Sequence, residues 1–280
     1  MKAVPCFRLS AVLFLLLLQV EVLACTSVIV SGRMRPDGKA VMYKNRDSDC
    51  TGCTVEWFQG EKYRFIGLLN SDWREHPVAQ VKPGTPEVWA GTNEKGFSIM
   101  NTATYDLKND AVPAEMMDRE GLVMYRALEI CVTLEDFENF LDTLSRPYGV
   151  EANFGVIDDK GGAAYYEVNN WRWTKFDVNK EPLGYRVVTN FTQTGRPADR
   201  RGVDRYEKAC WILSETEVPV ARWDHFFFVE KVSLSGEPIL RDITVSVTVF
   251  EGDTMWTCTG RPDRSPCLPY TEKGMRPEKS

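Results

Sequence analysis

The chain has 280 residues, of which 43% are hydrophobic and 11% aromatic, ample for a packed core and against global disorder. Its formal net charge of −6 comes without a basic cluster, which argues against nucleic acid as a partner. After the first two dozen residues no apolar run is long enough to span a bilayer.

Residues 1–24 read as a secretory signal peptide. Lys2 and Arg8 charge its start, AVLFLLLL (residues 11–18) is a short apolar segment, and small Ala24 precedes the expected cut. Removal of Lys2, Arg8 and Glu21 takes the charge from −6 to −7 and makes Cys25 the first residue. The product is expected to be secreted or periplasmic, with signal peptidase as its maturation partner. The cut leaves seven cysteines, an odd number for an exported chain, so six could pair and at least one is left free. Cys258 and Cys267, nine residues apart in a Gly/Pro-rich loop, are a natural pair.

Next come two strand-like runs, TSVIV from Thr26 and AVMY from Ala40, separated by the turn signal Pro36-Asp37-Gly38. With Asp37 and Gly38 at the turn centre, paired residue numbers sum to about 75, which sets Cys25 opposite residue 50, give or take a few. Lys44, Asn45, Arg46 and Asp47 thereby return beside the new amino terminus. Three further hairpins are expected, with strands at 87–90 and 96–101, at 153–157 and 163–168, and at 243–250 and 255–258. Helices are expected at 122–130, from a capping-box signal at Thr133 to Leu144, and in shorter form at 205–214 and 225–232. Hairpins alternating with helices imply an α+β sandwich of two antiparallel sheets with helices outside, as one domain over 25–270 followed by a polar tail, 271–280.

The chain lacks GxSxG, HExxH, P-loop and GxGxxG motifs. Its two histidines, His76 and His225, read as surface or core-edge residues. The Cys50-Thr51-Gly52-Cys53 run has neither a second pair nor a nearby histidine, so a disulfide or two free thiols is expected and no metal. A cysteine hydrolase without a histidine needs another base, and an N-terminal cysteine carries one. An α-amine has a reference pKa of roughly 7.7–8.0 and can take up the thiol proton. Asp47 is placed to hold that amine, and Lys44 or Arg46 to face the thiolate or an anionic substrate.

These residues resemble a known family. Cys25-Thr26-Ser27, the Asp37-Gly38 hairpin and Lys44-Asn45-Arg46-Asp47 look like the start of the choloylglycine hydrolase group of N-terminal nucleophile hydrolases. That group includes bile-salt hydrolases, penicillin V acylases and related acyltransferase and acid-amidase branches. The likeness continues in Gly91-Thr92-Asn93-Glu94-Lys95-Gly96-Phe97, in Asn153-Phe154 with Asp158 and Gly161, in Val188-Thr189-Asn190, and in Gly202 to Tyr206. The resemblance implies a four-layer αββα sandwich and attack on a linear amide of an N-acylated small molecule by Cys25. It implies an oxyanion donor at Asn190, a second at Asn101, and a late arginine near Arg241 on the substrate side. Lys44 stands where the bile-salt branch has arginine, and lysine lacks the planar bidentate fork. No cofactor or metal is implied; a homo-oligomer is compatible.

Two other readings of Cys25 stay open at this level. Val22-Leu23-Ala24-Cys25 approaches a lipobox, so Cys25 could anchor a lipid, or it could be a disulfide partner in a non-catalytic binding domain. An acyltransferase with the same acyl-enzyme is the nearest enzymatic alternative. Asn190-Phe191-Thr192 also fits a glycosylation sequon. The eight tryptophans are expected mostly in the core.

Overall fold

The computed structural model describes residues 24–75, 86–107 and 112–275; the segment 1–23 and His76 lie outside them. In chain order the strands begin with β1 (Cys25–Val30), β2 (Val41–Asp47), β3 (Cys53–Gln59), β4 (Arg64–Asn70), β5 (Ala90–Asn93), β6 (Ser98–Ala103) and β7 (Ala152–Ile157). They continue with β8 (Ala163–Val168), β9 (Trp173–Asp177), β10 (Tyr185–Val188), β11 (Thr244–Glu251), β12 (Thr254–Cys258), β13 (Leu268–Thr271) and β14 (Gly274–Met275). The helices are α1 (Glu120–Ile130), α2 (Leu134–Thr143), α3 (Val203–Glu215) and a short α4 (His225–Phe227) that runs into a π-turn, Phe228–Val232.

Two seven-stranded sheets result, in the orders β10-β1-β2-β11-β12-β13-β14 and β3-β4-β5-β6-β7-β8-β9. Every pairing is antiparallel. Three apolar clusters show how they stack. Val123, Leu128, Phe137 and Leu141 from α1 and α2 pack on Phe65, Phe154 and Tyr166 of the second sheet and on Phe97 just before β6. Ala209, Leu213, Phe227 and Phe228 pack on Val28, Tyr43, Val187 and Val249 of the first. Between the sheets lie Ile29, Met42, Ile66, Met100, Tyr165 and Phe250. The order is helices, sheet, sheet, helices: the αββα sandwich. Because both faces of β1, β2, β7 and β8 are covered, every residue of these strands is buried, and their sequences lose the simple in–out alternation.

The hairpin β7–β8 and helix α2 lie where the sequence places them, to within a residue. The Thr133 side chain accepts from the Asp136 amide while the Asp136 carboxylate accepts from the Thr133 amide, closing the capping box. The β1–β2 register differs from the expectation. Val30 pairs with Val41 and Cys25 with Arg46, so paired numbers sum to 71. A helical turn at Gly32–Met34 lengthens the connection, and left-handed Gly38 (φ 70°) closes the loop instead of centring it. Strand β5 starts at Ala90, not at residue 87. The stretch from residue 271 that looks like a tail enters β13 and β14. Trp223 is fully buried, but Trp57, Trp171 and Trp211 are exposed, against the expectation of a mostly buried set. Cys258 and Cys267 form a disulfide, and Cys25, Cys50, Cys53, Cys131 and Cys210 are free. Among the described residues no helix is long and apolar enough to cross a membrane.

Candidate active site

Strand pairing builds the site. Cys25 opens β1 opposite Arg46, and one residue further the Asp47 amide donates to the Ala24 carbonyl at 2.8 Å. The neighbouring strand β10 leads straight into Thr189 and Asn190, which places the Asn190 side chain at the same end. The Cys25 backbone N–H donates to Asn190 Oδ1 at 2.8 Å. A cavity of about 180 Å³ opens here, lined by Cys25, Lys44, Arg46, Asp47, Asn101 and Asn190 among others. Six of the seven residues singled out in the sequence therefore meet at one cavity.

Each polar side chain is held. Lys44 is 1% exposed and donates from Nζ to the Trp89 carbonyl (2.8 Å) and to Asn101 Oδ1 (2.9 Å). Burial lowers its pKa to about 8, partly offset by the nearby Cys25 thiol. With its oxygen taken by Lys44, Asn101 keeps its amide N–H groups without a partner among the described residues, on the wall of the cavity. Asp47 Oδ1 accepts from Thr244 Oγ1 (2.7 Å) and Asn45 Nδ2 (3.2 Å). Burial raises its pKa to about 6, opposed by the Thr244 hydrogen bond and by Arg205 and Arg241.

Asn190 differs from the expected oxyanion donor. Its Nδ2 donates to the Ala103 carbonyl at 2.7 Å, and its Oδ1 faces Cys25, so in this chain it anchors the cysteine nitrogen. It is also completely buried, which leaves no room for a glycan at the sequon. Arg241 stands apart from the cavity lining. Its NH1 meets Asp47 Oδ2 at 3.4 Å, so it contacts the site through that carboxylate. Arg46 does line the cavity, its guanidinium 5.1 Å from the Trp89 ring centroid.

The sequence reading missed Arg205, Thr244 and Trp89. Arg205 is buried on α3, donates to the Cys25 carbonyl, and donates to Asn190 Oδ1 at 3.0 Å. Burial lowers its pKa, with Asp47 and the Cys25 thiol opposing. Its one sequence signal was the Gly202-to-Tyr206 helix start, read for its shape and not for its charge. Asn93 and Asn153 serve structure: Asn93 ties its turn to α1, and Asn153 holds the Thr189 and Phe191 carbonyls. His225 stacks on Trp256 and pairs with Glu251, remote from this cavity.

Known structures carry the same architecture. An N-acylethanolamine-hydrolyzing acid amidase ortholog from Caenorhabditis elegans superposes with a TM-score of 0.59 at 17% identity, over 81% of this chain and 92% of that one. A variant of the conjugated bile acid hydrolase from Clostridium perfringens gives 0.53 at 12% identity, over 88% and 97%. Penicillin V acylase from Agrobacterium tumefaciens gives 0.52 at 15%, over 88% and 86%. The chain has the N-terminal nucleophile hydrolase fold. At these identities the likeness is one of fold. No family model and no curated protein matches the chain.

Proposed function

We propose that this N-terminal nucleophile fold is an exported amidohydrolase that cleaves a linear amide of an N-acylated small molecule through an acyl-enzyme on Cys25. The observation that carries the reading is the setting of the Ala24–Cys25 peptide bond. Its nitrogen sits on Asn190, its carbonyl sits on the Asp47 amide, and both flanking residues are buried in the cavity wall. In the uncut chain that nitrogen is an amide. Loss of residues 1–24 turns it into an amine at the same place and releases the Asp47 N–H as a donor.

The amine then takes the thiol proton, and the Cys25 sulfur attacks the amide carbonyl. Asn101, fixed by Lys44, offers its free N–H groups to the developing oxyanion, an interaction typically worth about 10²–10³ in rate. The protonated amine gives its proton to the leaving nitrogen; afterwards it activates water to release the acid. Asp47, itself held by Thr244, Asn45 and Arg241, keeps a negative charge beside the amine as it becomes an ammonium. A thioether lipid on Cys25 suits this geometry poorly, since the residue is only 8% exposed.

The test is the intact mass and N-terminal sequence of the exported protein, followed by turnover of a panel of acyl amides. A start at unmodified Cys25, with turnover lost in Cys25→Ser and in a form retaining Ala24, is expected. Wild-type-like turnover from either form overturns the mechanism.

A further inference from the structure

The Cys50–Cys53 pair is absorbed by nothing in this mechanism, yet it touches the site. Arg46 NH1 lies 3.5 Å from the Cys50 sulfur and 3.2 Å from the Cys53 sulfur. Its NH2 is taken by Ser48 Oγ (3.4 Å) and Asn70 Oδ1 (2.8 Å). Both terminal nitrogens of the cation on the cavity wall are thus occupied, one of them by the two thiols alone. Cys53 opens β3, and Cys50 sits in the bend before it; both are half-buried and within reach of a small reagent.

We propose that Cys50 and Cys53 form a redox-active dithiol whose oxidation state sets whether Arg46 is free to bind an anionic group in the cavity. Geometry brings three parts together: two sulfurs on one short loop, one guanidinium nitrogen in reach of both, and a cavity that the same arginine lines. The hydrogen bond from Cys53, seconded by Arg46, lowers the Cys50 pKa to about 5, while the same contact raises that of Cys53. Cys50 is therefore the attacking sulfur and Cys53 the resolving one.

The oxidant is a small disulfide such as glutathione disulfide. The Cys50 thiolate attacks one of its sulfurs, forming a mixed disulfide and expelling one thiolate. Cys53 then loses its proton, its thiolate attacks the Cys50 sulfur, and the second glutathione leaves as thiolate. One disulfide forms and one is reduced, so two electrons pass from the protein to the small disulfide. The product disulfide carries no negative charge and is a poor acceptor, so NH1 of Arg46 loses its partner. A substrate carboxylate or sulfonate can then take that place.

The chemistry of the pair is independent of the amidase reading; its effect on substrate rests on that reading. The first test uses the Cys25→Ser protein with glutathione disulfide and mass spectrometry after alkylation. An intramolecular disulfide at Cys50–Cys53 is expected, with the glutathione adduct trapped on Cys50 in an added Cys53→Ser variant. No reaction, or an adduct on Cys131 or Cys210 instead, overturns the proposal whatever the enzyme does. The second test compares oxidised and reduced enzyme with intact Cys25 on paired amides, one carrying a carboxylate and one neutral. Oxidation is expected to lower KM for the anionic amide by about tenfold, in line with a hydrogen bond to a charged group. The neutral amide is expected to be unaffected, and the Cys50→Ser/Cys53→Ser double variant is expected to show no redox response. Equal effects on both amides, or a response persisting in that double variant, overturn the switch.

Discussion

Strands β1 and β2 cross two different interiors. At one end they carry Cys25, Lys44, Asn45, Arg46 and Asp47, all buried and all bound to polar partners. A few residues along, the same strands carry Ile29 and Met42 into an apolar layer with Ile66, Met100 and Phe250. The apolar end gains from leaving water. The polar end gives up solvation of several charges, and buried ion pairs rarely recover that cost in full. The contrast teaches that the polar end is kept for what it does and the apolar end for what it holds.

The largest expected effect separates the two ends by kinetics. Cys25→Ser should lower turnover by about 10³ or more with its unfolding midpoint near wild type, because the change removes the nucleophile and little packing. Urea denaturation beside single-turnover assays checks this. At the other end, Phe250→Ala should cost roughly 3–5 kcal/mol of stability, the usual range for an emptied aromatic site. Its kcat per folded molecule should stay near wild type, and a loss of both together would dissolve the contrast.

The pH dependence sharpens it further. Asp47 is raised from 3.8 to about 6, so between those values the native state holds a proton that the unfolded state has lost. Its contribution to stability therefore falls as pH rises through that window. Lys44 is lowered from 10.5 to about 8, so stability recovers as pH climbs from about 8 toward 10.5. Between pH 6 and 8 the two groups destabilise together, by roughly 1–3 kcal/mol each on the scale of 1.36 kcal/mol per unit. Urea titrations of the Cys25→Ser protein at pH 5, 7 and 9 should show this dip, and adding Asp47→Asn and Lys44→Met should flatten it. The smallest effect lies outside both interiors: Thr133→Ala, which opens the capping box of α2, should cost about 1 kcal/mol and leave turnover alone.

Local signals carried the sequence a long way. The β7–β8 hairpin, the capped α2 and the β11–β12 turn all follow from short-range chemistry: left-handed glycines, Asx hydrogen bonds and a helix cap. Strands β3 and β4 went unseen, although they pair with each other across a short connection at residues 60–63. Phe65, Ile66, Leu68 and Leu69 are buried on both sides, so the run lacks alternation. The β1–β2 register slipped because the extra turn at Gly32–Met34 has no strong signature of its own.

The same division runs through the candidate site. Sequence by itself put Cys25 next to an expected signal cut and brought Lys44, Arg46 and Asp47 back beside it, since an antiparallel hairpin returns its second strand to the start of its first. It had no means to show that Asn190 faces the cysteine nitrogen, that Arg241 meets the Asp47 carboxylate, or that Arg205 reaches the Cys25 carbonyl. Those contacts join residues some 165 to 194 positions apart. Only the pairing of β10 and β11 with β1 and β2, and the packing of α3 on that sheet, decides them, because side-chain direction across such separations is set by tertiary closure and not by local propensity.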